Sequence, residues 1–172
     1  MFHIVLVEPE IPQNTGNISR TCAVTGAALH LVHPLGFSID EKHVKRAGLD
    51  YWKDLTLFEH DSFEAVERAY PDARFFLAST HATRCYTDVA FRDGDFLVFG
   101  KETAGLGTAL LTRRADDAIR IPMGRDQRSL NLSNSVAIVL YEALLQNGFP
   151  NLVLVKNPCV LLKNSLALPR AI

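Results

Sequence analysis

The sequence predicts an α/β domain built on a mostly parallel sheet with helices on both faces. Short β-branched and aromatic runs alternate with segments of helical periodicity along the chain. Those runs are apolar throughout, not at every second residue, as strands buried on both faces require. A length of 172 residues suits one substantial core and is too short for two.

The strand candidates are "FHIVLV" from Phe2, "ALHLVHP" from Ala28, "LTLF" from Leu55, "RFFLAS" from Arg74, "DFLVFG" from Asp95 and "AIRIP" from Ala118. Between them the pattern predicts helices over Asn14 to Gly26, Ser38 to Gly48 and Ser62 to Tyr70, a weaker turn from Thr108 to Arg113, and a long final helix from Asn131 to Asn147. Asn14 or Thr15, Ser38 and Ser62 are the N-cap candidates, and Gly26, Gly48 and Gly148 stand where C-terminal glycines belong. In the last helix Leu132, Val136, Val139, Leu140, Ala143 and Leu144 follow the spacing of a buried stripe. Residues 1–150 therefore read as one domain. The tail, 151–172, is apolar but shows no clear periodicity or capping; a strand, a packed tail and partial disorder all fit it.

The apolar fraction of 48% and charged fraction of 22% match a soluble globular protein. A net charge of −1 argues against a non-specific grip on long nucleic acid, which comes from many neutralised phosphates, but leaves room for a local basic patch. Lys42, Lys45 and Arg46 cluster in sequence, as do Arg113 and Arg114, and Arg20, Arg84, Arg125 and Arg128 stand singly. Cys22, Cys85 and Cys159 are odd in number and form no CxxC pair, so they read as small buried hydrophobes in a reducing compartment. The N-terminal apolar run is far shorter than a membrane span and has no basic leader, which makes a cytoplasmic location the expectation. The six histidines show no HExxH or other ligand spacing, so no metal site is expected, and no GxSxG elbow points to a covalent hydrolase.

Three segments depart from structural patterning, and each follows a strand, where open α/β sheets bind ligands. In "EPEIPQNTGNISRT" two prolines stiffen a loop, and Asn17 and Arg20 share one helical face. In "VFGKETAGLG" Gly100, Gly105 and Gly107 allow close backbone approach or positive φ, although neither the P-loop nor the GxGxxG pattern is present. In "IPMGRDQRSLNLSN" the polar residues Ser129, Asn131, Ser133, Asn134 and Ser135 crowd the start of the last helix. One of them suffices for capping; together they make a neutral cradle for carboxylate or hydroxyl groups.

In this order and spacing, "EPEIPQNTGNISR", "FGKETAGL" and "IPMGRDQRSLNLSNSVAIVLYEA" resemble the three motifs of the SPOUT class of RNA methyltransferases, and most of all its TrmL (YibK-like) subgroup of tRNA 2′-O-methyltransferases. The resemblance spans Met1 to Pro150 and includes "PLGFSIDEKHVKRAGLDYW". It implies a SPOUT fold with a C-terminal trefoil knot, an exception to the general absence of knots. It also implies dependence on S-adenosyl-L-methionine and a homodimer in which each site is completed by the partner. Carried over residue by residue, it places Ala78, Gly100, Gly105, Ile121, Met123, Ser129, Leu130 and Asn131 at the cofactor, with Ile121 and Leu130 as apolar lining.

Arg20 matches the arginine of the first motif. A guanidinium gives up its proton only at high cost, so its expected part is to clamp phosphate and stabilise developing alkoxide charge. Asn17 is expected to orient the ribose or Arg20, and Glu102 to fix Lys101, an arginine or the loop. Arg128 and Tyr141 match positions near RNA, with ordinary helix packing an equal alternative for Tyr141. Lys42, Lys45, Arg46, Arg84 and Arg125 are candidate phosphate contacts. The implied substrate is the wobble nucleotide, cytidine or modified uridine 34, in the anticodon loop of leucine tRNAs; a single-stranded loop is where RNA is commonly read. The rival readings are a SPOUT enzyme for another tRNA position or for ribosomal RNA, a non-catalytic RNA-binding protein of the same fold, and a small nucleotide-binding or phosphotransfer protein.

Overall fold

A computed structural model describes residues 1–38 and 55–153. The expected helix from Ser38 to Gly48, with Lys42, Lys45 and Arg46, lies outside the described residues apart from Ser38 itself, and so does nearly all of the tail, Cys159 included. Six strands follow the sequence reading closely: β1 (His3–Val7), β2 (Ala28–Val32), β3 (Leu57–His60), β4 (Phe75–Ala78), β5 (Phe96–Phe99) and the short β6 (Ala118–Ile119). They form one sheet in the order β3-β2-β1-β5-β4-β6, and every pairing is parallel. The strand order reverses between β1 and β5. Beyond the carboxyl ends of these two strands lies the crevice in which such sheets hold ligands.

β3 begins two residues later than its apolar run, and its residues are half-buried or exposed. It is an edge strand, so the burial that makes the central strands uniformly apolar does not apply to it. Along β1, side chains alternate between faces: Ile4 and Leu6 enter one core, Val5 the other. The first core is closed by α1 (Pro12–Thr25) and α4 (Leu132–Gln146), which also pack on each other; the second is closed by α2 (Phe63–Ala69), with the one-and-a-half-turn α3 (Thr108–Arg113) beside it. All six stripe residues of α4 are buried, and Leu140 and Val139 are fully enclosed. Each such aliphatic side chain contributes about 1.5–3 kcal/mol of transfer free energy. Gly26, at φ 71°, ends α1 in the left-handed conformation that a side chain disfavours.

The start of α1 corrects the sequence reading. Neither Asn14 nor Thr15 is the cap: Ile11 holds that position, Pro12 follows at the first helical residue, and both cap candidates lie buried inside the first turn. Proline fits there because the first N–H of a helix has no intrahelical partner anyway. Cys85 also departs from expectation. It is half-exposed, with its sulfur 3.1 Å from the Thr87 hydroxyl, while Cys22 is buried in the first core and its thiol is pushed up to about 12 by burial.

The second face holds a feature that spacing along the chain conceals. His3, His30 and His60 stand on adjacent strands and are hydrogen-bonded in series, His3 Nδ1 to His30 Nε2 at 2.9 Å and His30 Nδ1 to His60 Nε2 at 3.0 Å. His30 is fully enclosed, stacked on Phe58 and packed edge-on against Tyr70. Burial, with smaller contributions from the neighbouring His3 and His60, lowers its pKa to about 3. Each neutral imidazole donates from one nitrogen and accepts at the other, so a neutral series satisfies the central ring.

Candidate functional site

Four loops leaving the carboxyl ends of β1, β4, β5 and β6 surround a cavity of about 560 Å³, within the usual range for a small-molecule site. Its walls come from Ile11 and Asn14 after β1, Ala78 to His81 after β4, Gly100 to Leu106 after β5, and Ile121, Met123 and the run Arg128 to Leu132 after β6.

The turn after β5 is shaped by its glycines. Gly100 is buried, and a methyl group there would land on the Gly105 carbonyl and the Leu106 amide nitrogen; only hydrogen lets the turn fold back on itself. Gly105 and Gly107 have φ of 65° and 73°, the region glycine enters without strain. One internal bond, Gly105 N–H to the Lys101 carbonyl at 2.9 Å, closes the turn, and Leu106 is its buried anchor.

Opposite stands the mouth of α4. Asn131 caps the helix, its Oδ1 accepting from the Ser133 and Asn134 N–H groups and from the Ser133 hydroxyl. Its Nδ2 donates to Asn14 Oδ1 at 3.0 Å, and Asn14 Nδ2 in turn donates to Glu102 Oε1 at 2.8 Å. The Glu102 carboxylate also accepts the backbone N–H groups of Glu10 and Ile11, at 2.9 and 3.3 Å. It therefore serves the start of α1, where Ile11 has no side chain able to cap, and places negative charge at the positive end of that helix. Burial alone raises the Glu102 pKa, but the bonds from Asn14 and from the Glu10, Glu102 and Ile11 amides outweigh it and hold the carboxyl below its ordinary value.

All eight expected cofactor residues, from Ala78 to Asn131, line this one cavity, as do Glu102 and Arg128. Of the five polar residues at the mouth of α4, only Ser129, Asn131 and Ser135 do so; the Ser133 side chain is spent on the cap, and Asn134 is exposed and not part of the wall. Glu102 fixes the loop, not Lys101, whose ammonium pairs with Glu8 at 2.7 Å. Asn17 and Arg20 lie outside the cavity, on an exposed face of α1 that Val24 continues. Tyr141 is 46% exposed on α4, with its ring 6.5 Å from that of Phe149. Arg84 and Arg125 are exposed. Sequence reasoning missed Asn14, Thr80, His81 and Thr103 as wall residues. Asn14 was legible only as a cap, Thr103 lay within the quoted glycine motif without being singled out, and no pattern marked Thr80 or His81. Among the described residues no group of His, Cys, Asp and Glu is placed to hold a metal ion, and no helix is long and apolar enough to cross a membrane.

Comparison with known proteins adds four facts. Residues 1–141 match the model of the SpoU rRNA methylase family. The chain is 48% identical over 155 residues to the tRNA (cytidine(34)-2′-O)-methyltransferase of Escherichia coli strain K12, covering 90% of this chain and 99% of that one. It superposes on a solved structure concerned with 2-OH methylation of C/U34 on tRNA, with TM-score 0.81 and 45% identity over 86% of this chain and 97% of the other. It also superposes on the SpoU methyltransferase AviRb of Streptomyces viridochromogenes in complex with the cofactor AdoMet, with TM-score 0.71 and 28% identity over 84% of this chain and 57% of the other.

Proposed function

The chain belongs to the SpoU rRNA methylase family, and from that premise we propose that it is an S-adenosylmethionine-dependent tRNA 2′-O-methyltransferase acting on nucleotide 34 in the anticodon loop. One observation carries the reading: every residue assigned to the cofactor by motif resemblance lies on the wall of a single cavity at the carboxyl ends of β1 and β5. The residues fit the cofactor chemically. Ala78, Ile121, Met123 and Leu130 offer apolar wall for an adenine ring. Ser129, Asn131 and Ser135 stand at the α4 N-terminus, where partial positive charge suits a carboxylate.

When bound, S-adenosylmethionine supplies a sulfonium methyl that is already electrophilic. What remains for the protein is alignment, which alone can remove much of a bimolecular barrier. The glycine turn and the mouth of α4 hold one reactant. The Arg20 guanidinium stabilises negative charge on the attacking 2′-oxygen, whose hydroxyl proton passes to solvent as the methyl is transferred, and grips the adjoining phosphate. Asn17, one turn earlier on the same face, orients the ribose or the guanidinium. Glu102 acts at a distance from the ribose by fixing the start of α1.

Because Asn17 and Arg20 stand outside the cavity of their own chain, the reading includes a homodimer in which each chain lends these residues to its partner. Exposed apolar residues on the adjacent helices, Val24 on α1 and Ile138, Tyr141 and Leu145 on α4, support a second copy as the cover for this face. The knotted path belongs to the same reading. It is supported by β6 lying at the far edge of the sheet while the chain after it returns to line the cavity and to pack α4 on α1 and β5.

The test is incubation of the purified protein with labelled S-adenosylmethionine and bulk tRNA, followed by nucleoside mapping. A 2′-O-methyl group at position 34 is the expected product. Label at another position, or only in ribosomal RNA, moves the reading to a relative within the family. No measurable affinity for S-adenosylmethionine or its demethylated product ends it.

A further inference from the structure

The cofactor turn does not hold itself together. Its eight residues, Gly100 to Gly107, include three glycines, which lose the most conformational freedom on ordering, and Thr103, Ala104 and Gly105 are exposed. Only Leu106 is anchored by apolar burial, and the one bond across the turn joins Gly105 to Lys101. The rest of its order comes from outside. One part is the Asn14 amide on α1, which donates to Glu102 at 2.8 Å; the other is the segment immediately after β1.

Two side chains of that segment reach the turn. Glu8 takes the Lys101 ammonium at 2.7 Å. The Glu10 carboxylate accepts from two Thr103 donors, the backbone N–H at 3.1 Å and the hydroxyl, whose single proton is shared between the two carboxylate oxygens at 3.0 and 2.8 Å. Lys101 and Thr103 line the cavity; Glu8 and Glu10 do not. The supporting segment is itself well fixed. Gly36 N–H donates to the Pro9 carbonyl at 2.9 Å, and a Cβ on Gly36 would sit 2.7 Å from the Glu10 Cα, so the loop after β2 presses directly on it. Glu8 has a φ of 51°, uncommon for a residue with a long side chain, and this unfavourable backbone occurs where the carboxylate is aimed at Lys101.

We propose that Glu8 and Glu10 are positioning residues that hold the glycine turn in its cofactor-accepting shape, Glu8 through Lys101 and Glu10 through Thr103. The Glu10 arm acts more directly on the turn, since one of its two donors is the Thr103 backbone N–H, and its contacts are exposed. The Glu8 arm is a half-exposed ion pair, with side chains 34% and 38% accessible, and solvent screening weakens it. The proposal rests on the methyltransferase reading for the identity of the ligand, but not for the mechanical claim.

The experiment follows both. Hydrogen exchange at the Gly105 amide reads the turn without any ligand, and steady-state kinetics read the consequence. Glu10→Gln and Thr103→Ala should each speed exchange at Gly105 and each raise the KM for S-adenosylmethionine about tenfold, the effect of losing charge-assisted hydrogen bonds. For Glu10→Gln, which lies outside the cavity wall, transfer at saturating donor and the KM for tRNA should stay within about twofold, because the reacting groups are untouched. The double variant should be no worse than either single one. Glu8→Lys should speed exchange at Gly105 less than Glu10→Gln does, and combination with Lys101→Glu should restore the wild-type exchange rate. Unchanged exchange at Gly105, or additive effects of Glu10→Gln and Thr103→Ala, would overturn the proposal whatever the enzyme methylates. A wild-type protein that exchanges as described but binds no donor would instead refute the cofactor assignment.

Discussion

Acid should weaken this fold through His30, and the size of the effect follows from where the ring sits. The unfolded chain binds a proton on this imidazole from about pH 6.5, whereas in the folded chain burial, with help from His3 and His60, lowers the pKa to about 3. Between those values the unfolded state holds more protons than the native one, so stability is intact above about pH 6.5 and falls as the solution is acidified through this window. At pH 5.0, about 1.5 units into the window, the loss from His30 is about 2 kcal/mol at 1.36 kcal/mol per unit. That is a large share of the 5–15 kcal/mol typical of a domain. His3 and His60 are also held below their ordinary values, chiefly by burial, and act with the same sign; Asp93 opposes the shift of His3 and Asp61 that of His60.

Urea unfolding at pH 7.5 and pH 5.0, on the wild type and on His30→Gln, isolates the central ring. Glutamine has a donor and an acceptor to offer His3 and His60 but does not titrate, so its own packing cost appears at both pH values and cancels in the comparison. The wild type should lose about 2 kcal/mol more than the variant on acidification. Parallel losses in the two proteins would show that His30 is not held neutral, and the account of the three-ring series would fail.

The site predicts its own failures. Arg20→Ala should lower methyl transfer by about 10²–10³-fold, the usual cost of one stabilising donor, with calorimetric affinity for S-adenosylhomocysteine kept within about twofold; transfer at the normal rate would remove Arg20 from the chemistry. Gly100→Ala puts a methyl group on the Gly105 carbonyl, so the turn must open. A stability loss of about 1–3 kcal/mol in thermal unfolding and donor affinity too weak for calorimetry are expected. Leu145→Asp adds charge to the exposed apolar face of α4 without touching the core. It should give a monomer in sedimentation equilibrium that binds donor but transfers no methyl; a fully active monomer would show that Arg20 acts within its own chain.

The sheet was legible because burial on both faces leaves its mark on consecutive residues, and α4 because a buried stripe leaves its mark every third or fourth one. Each of those signals is local. The start of α1 was misread because Asn14 and Thr15 have the composition of caps, whereas the segment is satisfied by Glu102, 88 residues from Asn14. The histidine series was invisible for a similar reason. His30 and His60 are 30 residues apart and meet only because the parallel register sets Val32 beside His60 and His30 beside Phe58. The cofactor wall came from motif resemblance, since no periodicity links Ala78 to Met123. The contacts that hold it, Glu8 to Lys101 and Glu10 to Thr103, are each 93 residues apart and carry no sequence mark at all.

The crowd of polar residues before α4 thus has a physical account centred on one pair of amides. Asn131 closes the open end of its helix with Oδ1 and still has Nδ2 for Asn14. Asn14 passes that constraint to Glu102, which stands in the glycine turn and supports the start of α1. Asn14 is 6% exposed and both ends of its amide are matched, so it cannot move toward one neighbour without leaving a buried polar group unpaired toward the other. Such a loss costs about 1–3 kcal/mol, more than thermal motion supplies. Three segments that meet the cavity from different strands are therefore held at one mutual distance by a single buried side chain, and the helix that carries Arg20 is set by the same contacts that shape the mouth of the cavity.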